Sequence, residues 1–187
     1  MAWWRRFRAP LLALLLAPGA AAASWEPGAT HLTLQYAGLD YALGATSESA
    51  RPSATVVRVG HQLSERFGVQ GRLGLRGGGG DAAGAVDGGA EETLTVRLDR
   101  LAGLYASARI GRRDRVSAYA LAGYTDARAG AAGVQATASE AARGPSVGVG
   151  LDYAFDPDYR VNLEYMHYID RGEVRLSALG IGFSIRL

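Results

Sequence analysis

Apolar residues recur at every second position along most of this chain, and the alternation is interrupted by Gly-rich or polar stretches. Successive side chains of a strand point to opposite faces, so each such run predicts a half-buried β-strand. Leu32, Leu34 and Tyr36 oppose Thr33 and Gln35 in the first. Val57, Val59, His61 and Leu63 oppose Arg58, Gly60 and Gln62 in the second, and Val69, Gly71, Leu73 and Leu75 oppose Gln70, Arg72 and Gly74 in the third. The fourth sets Leu94, Val96 and Leu98 against Thr95, Arg97 and Asp99 and runs on through Leu104 and Tyr105. Its register slips at residues 99–101, which predicts a β-bulge or the rim of an apolar slab there. Tyr119 and Leu121 begin a fifth strand in SAYALAGYT, and Val147, Val149, Leu151, Tyr153 and Phe155 oppose Ser146, Gly148, Gly150 and Asp152 in a sixth. The seventh, VNLEYMHYID, divides Val161, Leu163, Tyr165, His167 and Ile169 from Asn162, Glu164, Met166, Tyr168 and Asp170. Leu179, Ile181, Phe183, Ile185 and Leu187 oppose Gly180, Gly182, Ser184 and Arg186 in the last. The prediction is all-β, with eight strands.

The connections alternate in length. Residues 64–68, 111–115 and 156–158 are short breaks; residues 44–52, 77–92 and 128–145 are long ones, with 170–173 the exception. In an up-and-down antiparallel meander this gathers the short turns at one end and the long loops at the other. That asymmetry is the layout of an eight-stranded transmembrane β-barrel, with periplasmic turns and extracellular loops.

Alternating strands suit two barrels: a soluble one with a greasy interior, and a membrane one with the polarity reversed. One face here is Val, Leu, Ile, Tyr and Phe. The other mixes small residues with Arg58, Arg72, Arg97, Asp99, Asp152, Arg160, Glu164 and Arg186, which are the expected polar network of the lumen. An eight-stranded barrel is just wide enough for side chains to fill it. Small residues would leave room for long arginines to reach carboxylates, because buried charges are tolerated only when paired. An arginine turned to lipid would cost roughly 2–4 kcal/mol at the midplane. The competing possibility is a soluble antiparallel sheet with ordinary exposed charges, as in a periplasmic lipocalin-like carrier.

The start of the chain fixes the expected compartment. Arg5, Arg6 and Arg8 precede the apolar run LLALLLA and the small residues Ala21, Ala22 and Ala23, the layout of a secretory signal peptide. The run is shorter than the ~20 residues a membrane helix needs. Residues 1–23 are the expected signal peptide, and residues 24–187 one barrel domain. Without those three arginines the 20 basic residues fall to 17 against 18 acidic ones, so the formal charge of +2 gives no argument for nucleic acid. The chain has no cysteine and therefore no disulfide to rely on.

The segments SAYALAGYT, SVGVGLDYAFDPDYRVNLEYMHYID and SALGIGFSIRL resemble the small outer-membrane β-barrel proteins of the OmpA/OmpX type, across nearly all of residues 26–187. The resemblance implies outer-membrane localisation after Sec-type export and a monomer surrounded by lipid and lipopolysaccharide. It also implies that the C-terminal strand carries a signal for the barrel assembly machinery, usually ending in an aromatic; here the end is FSIRL, with Leu187 last. No cofactor, metal or nucleic-acid partner is expected, and an extracellular partner is left open.

Candidate chemistry is sparse. Only His31, His61 and His167 offer an imidazole. Some eight-stranded barrels modify lipid A, and one deacylase family carries His, Ser and Glu on its lipid-facing wall. His167 would match only if Ser177 were brought beside it by the eighth strand, because a nucleophile must lie within hydrogen-bond reach of its base. Calcium ligation by Asp81, Asp87, Glu91 and Glu92 lacks an ordered ligand spacing, and that Gly-rich stretch reads as a loop. A P-loop would need lysine, which is absent. Asp156 and Asp158 flank Pro157 as turn residues. The expectation is a structural or cell-surface interaction role without catalytic residues, a closed polar lumen and long extracellular loops, with a lipid A-modifying enzyme as the alternative.

Overall fold

The computed structural model describes residues 26–43, 50–85, 91–132, 137–171 and 174–187. Among the described residues nine β-strands follow in order: β1 Thr30–Leu43, β2 Ser53–Gln62, β3 Phe67–Arg76, β4 Gly80–Ala85, β5 Glu91–Arg113, β6 Val116–Ala132, β7 Thr137–Ala154, β8 Tyr159–Arg171 and β9 Val174–Arg186. All pairings are antiparallel, and the ring closes because β3 pairs with β5 while β1 pairs with β9. β3 and β4 are two pieces of a single stave: β3 lies against the lower part of β5 and β4 against its upper part. The result is a closed eight-stranded antiparallel barrel. Within the apolar belt, closure gives every stave two neighbours, the only way a sheet can satisfy its backbone in hydrocarbon.

Two expected loops are largely sheet. Gly80–Ala85 is strand β4, and β6 and β7 extend to Ala132 and from Thr137. These stretches are rich in Ala, Gly and Arg and carry no apolar stripe that would announce a strand. β5, at 23 residues, is about 70 Å long at ~3.3 Å per residue, far more than the ~25 Å apolar band of a membrane barrel.

The polarity of the wall changes along the barrel axis. Around the lower part the outward residues are apolar and exposed, among them Leu34, Leu73, Leu104, Val149, Leu163 and Ile181. On β9 the outward run from Leu179 to Leu187 covers roughly 20 Å of height at a tilt near 40°. Phe155, Tyr159 and Phe183 stack at the short-turn rim with centroids 5.8–6.2 Å apart, and Tyr36, Tyr124 and Tyr165 are exposed toward the other rim. Amphipathic rings favour such interfaces. Above that belt the outward residues are polar or charged: Asp40, Arg97, Asp99, Arg100, Arg128, Arg143 and Arg175 are all exposed.

The interior switches in the opposite sense. Inside the belt it is polar, with Arg58, Arg72, Arg160, Asn162 and Glu164 buried. Toward the long-loop end it is apolar, packed by Leu39, Leu98, Leu101, Met166, Ile169 and Leu176. Lipid wets the outside of the first zone and water the outside of the second, so each zone buries the class of side chain its surroundings reject.

Arg97 and Asp99 therefore do not belong to the lumen. They lie on the exposed outer wall above the belt, with Val96 and Leu98 buried inside. The assignment of charges to the inner face holds only where hydrocarbon lies outside. The register shift expected near residues 99–101 is present between Leu98 and Arg100. A second shift, between His167 and Ile169, turns Ile169 inward, where it is fully buried, although strict alternation had put it on the outer face with Tyr165.

Candidate functional site

Four features of the wall carry polar chemistry. The first is a strut inside the belt. Glu164 on β8 accepts from Arg72 Nη1 at 2.7 Å, Arg72 Nη2 at 2.8 Å, Arg58 Nη1 at 2.7 Å and the Tyr119 hydroxyl at 3.0 Å. Arg58, Arg72 and Glu164 are all buried. Glycines on the inner face make space for these long groups. A Cβ added at Gly150 would meet the Tyr119 ring at 2.4 Å, and one at Gly180 would meet Gln35 Nε2 at 2.3 Å. Arg72 also lies over the Tyr105 ring, 4.6 Å from its centroid. From Tyr105 a hydroxyl chain continues through Thr125 and Ser146, at 2.6 Å each, to the Tyr168 carbonyl.

The second is a polar cavity at the short-turn end. Its lining includes Arg58, Arg66, Arg109, Ser117, Tyr119 and Asp152. Arg160 is buried on the inner face of β8, where Asn162 donates to Ser184 Oγ at 3.1 Å and Ser184 meets Thr33 Oγ1 at 2.8 Å. Arg186 is at the mouth, a third exposed, and its Nη2 reaches Glu26 at 3.3 Å.

The third is a charged patch on the outer wall above the belt. Asp126 on β6 is held between Arg100 of β5 at 3.0 Å and Arg143 of β7 at 2.5 Å. Arg128 is the cross-strand partner of Arg100 and is also exposed. Two arginines thus clasp one carboxylate, with a third opposite Arg100, just above the exposed ring of Tyr124.

The fourth is a row on the outer wall at the upper edge of the belt. The β8–β9 register places Ser177 opposite His167, and the β1–β9 register places Asp40 opposite Ser177. Directly opposed Cβ atoms stand about 4.5–5.5 Å apart. The condition for a Ser–His pair is met in register. The acid, however, flanks the serine rather than the imidazole, the reverse of the order in which a carboxylate orients a histidine base.

Of the eight polar residues singled out from the sequence, Arg58, Arg72 and Glu164 form the strut, and Asp152 and Arg160 lie in the lower interior. Arg186 pairs at the mouth, and Arg97 and Asp99 are outside. Sequence reading missed Tyr119, Arg109 and the Thr33, Asn162 and Ser184 group. Arg109 was legible in principle, because it continues the inward alternation of Tyr105 and Ser107. Of the possible calcium ligands, Asp81 is exposed and accepts from Thr95 Oγ1 at 3.0 Å. Asp87 and the side chains of Glu91 and Glu92 lie outside the described residues. Among the described residues no cluster of three metal-ligating side chains is found.

A family model described as "Outer membrane protein beta-barrel domain" matches residues 9–186. Among solved structures, the Ail attachment invasion locus protein of Yersinia pestis superposes with a TM-score of 0.60 at 15% identity, covering 86% of this chain and 99% of that one. A second Ail structure, in complex with the heparin analogue sucrose octasulfate, gives 0.61 at 16% identity over 86% and 99%. Neisserial surface protein A gives a TM-score of 0.64 at 18% identity over 84% and 97%. OprG from Pseudomonas aeruginosa gives 0.57 at 12% identity over 89% and 99%. At these identities the likeness is one of fold. Among curated proteins no match is found.

Proposed function

The chain belongs to the outer-membrane protein β-barrel domain family and resides in the outer membrane, and from that premise we propose that it works as a cell-surface interaction protein rather than as a general pore. The observation that carries this reading is the wall of β5, β6 and β7 rising above the apolar belt. Its outer side is charged, and its inner side is packed with apolar residues. A wall needs no extension to serve as a membrane anchor, so the added length argues for a role outside the membrane.

Arg97, Arg100, Arg128 and Arg143 against Asp99 and Asp126 leave that wall a net positive patch, which favours an anionic partner such as a sulfated or phosphorylated glycan. Ail is a fold neighbour whose structure holds a sulfated sugar, and the charge class is the same. A closed lumen is supported by the buried strut and the apolar layer above it. We further propose a monomer in lipid and lipopolysaccharide, exported by residues 1–23 and assembled through its last strand. Cells displaying the protein should retain immobilised heparin, and a variant with Arg100, Arg128 and Arg143 changed to Gln should lose at least half of that retention. Equal retention by cells lacking the protein would end the reading.

A second reading, a lipid A acyl hydrolase, is favoured by the Ser177–His167 register alone. In it the serine hydroxyl would attack an ester carbonyl, its proton passing to the imidazole and then to the departing sugar oxygen as the ester C–O bond breaks. Water would then release the acyl group from the serine. Mass spectrometry of lipid A from cells with and without the protein tests it, and an unchanged acyl pattern removes it.

A further inference from the structure

Below the apolar layer the inward-facing side chains are out of electrical balance. Among the described residues these are four arginines, Arg58, Arg72, Arg109 and Arg160, against two carboxylates, Asp152 and Glu164, a formal excess of two positive charges. Glu164 is already taken by Arg58, Arg72 and Tyr119. Of the inward-facing carboxylates Asp152 alone remains for Arg109 and Arg160, with Glu65 beside Arg109 at the rim, where the Glu65 carbonyl accepts from Arg109 Nη1. Removing an ion from bulk water costs several kcal/mol unless an opposite charge replaces the lost hydration. Water satisfies hydrogen bonds but does not cancel charge.

The cavity at the short-turn end is where that excess is displayed. It is about 50 Å³, against the roughly 10–15 Å³ that one water requires. Its walls are dense in donors: the guanidinium groups of Arg58, Arg66 and Arg109 and the hydroxyls of Ser107, Ser117 and Tyr119, with Asp152 as its one carboxylate. Arg58 is only 4% exposed, and its Nε is buried without an acceptor among the described residues. A guanidinium presents parallel donors that match the edge of a tetrahedral oxyanion. The apolar layer of Leu101, Met166 and Ile169 leaves the short-turn end as the way in.

We propose that this cavity is a binding site for a small inorganic oxyanion of the phosphate class, taken up from the periplasmic end. The ion would supply the missing negative charge between Arg58 and Arg109 and accept from the hydroxyls around it. The small volume favours the free ion over the phosphate group of a larger molecule.

The test uses the chain refolded in zwitterionic detergent, with heat-modifiable gel mobility as the check on folding. Inorganic phosphate is titrated at constant ionic strength by calorimetry and by ³¹P line width, with glycerol phosphate as the larger analogue. Saturable one-site binding of phosphate is expected, weakened about tenfold or more in Arg109→Gln and unchanged in Arg143→Gln on the opposite end. Ser117→Ala, which deletes a single hydroxyl, should weaken it by about threefold and covers the case in which Arg109→Gln does not refold. Absence of saturable binding by the refolded protein overturns the proposal, as does full affinity in Arg109→Gln or, where that variant does not refold, in Ser117→Ala. Equal affinity for glycerol phosphate would move the site to the open mouth and overturn it as well. The surface patch plays no part in this assay, so failure here leaves the glycan reading standing.

Discussion

Glu164 and Arg72 brace the barrel across its full width. Their strands, β8 and β3, stand four places apart in a ring of eight, and both carboxylate oxygens of Glu164 receive a nitrogen of Arg72, at 2.7 and 2.8 Å. Arg58 and Tyr119 join the same carboxylate from β2 and β6. Glu164→Gln leaves two buried guanidiniums facing a neutral amide and should cost about 3–5 kcal/mol, read from the urea midpoint in vesicles. Replacing all three charges at once, with Arg58→Met, Arg72→Met and Glu164→Leu, should recover most of that loss, because the cost lies in the unpaired ions. A Glu164→Gln protein as stable as the parent would show that the strut contributes nothing.

Inward Gly150 is predicted to be intolerant of a side chain and outward Gly71 indifferent to one. A Cβ at Gly150 would stand 2.4 Å from the Tyr119 ring, whereas one at Gly71 has Leu104 Cδ2 as its nearest neighbour at an ordinary 3.7 Å. Gly150→Val should destabilise by about 1–3 kcal/mol through overpacking and displace the Tyr119 hydroxyl from Glu164. Gly71→Ala should stay within about 0.5 kcal/mol of the parent. Side-by-side thermal midpoints of the two variants check the contrast.

The change of polarity along the axis makes opposite demands at two heights of the outer wall. Leu34→Arg places a charge in the belt and should cost roughly 2–4 kcal/mol of vesicle-folded stability, depending on depth. Arg97→Leu, above the belt, should change stability by no more than about 0.5 kcal/mol. If Arg97→Leu proved as costly as a charge in the belt, Arg97 would have to be a lumen residue after all.

The apolar layer should behave as an ordinary protein core. Leu101 and Ile169 are both fully buried in it. Leu101→Ala or Ile169→Ala should cost about 2–5 kcal/mol, the range for a large-to-small change in a packed interior. Planar-bilayer recordings of the double variant should show conductance that the parent lacks, since removing both side chains thins the layer above the polar interior.

The belt was legible in the sequence because hydrocarbon imposes a strict rule. Leu34, Val149, Ile181 and their neighbours alternate cleanly, and strand number and order followed from them. The part above the belt obeys a weaker rule. Water accepts Arg, Ala, Gly and Thr alike on the outer face, so β4 and the upper parts of β6 and β7 carry no stripe and read as loops. Of the three register shifts among the described residues, two were unequal in visibility. The one at residues 99–101 breaks a long alternation and was seen, whereas the one before Ile169 is masked because an isoleucine suits either a lipid wall or an apolar interior. The sidedness of Arg97 and Asp99 depended on knowing where the membrane stops, which alternation alone does not encode.

β1 and β9 meet along thirteen residue pairs, from His31 with Arg186 to Leu43 with Val174. The seam of the cylinder thus joins its earliest-made stave to its latest. Until it shuts, two rows of backbone amides and carbonyls have no partner, a state that oil does not tolerate. Closure inside the bilayer must therefore wait until β9 has been made, which gives the cell a built-in safeguard against inserting half-made cylinders.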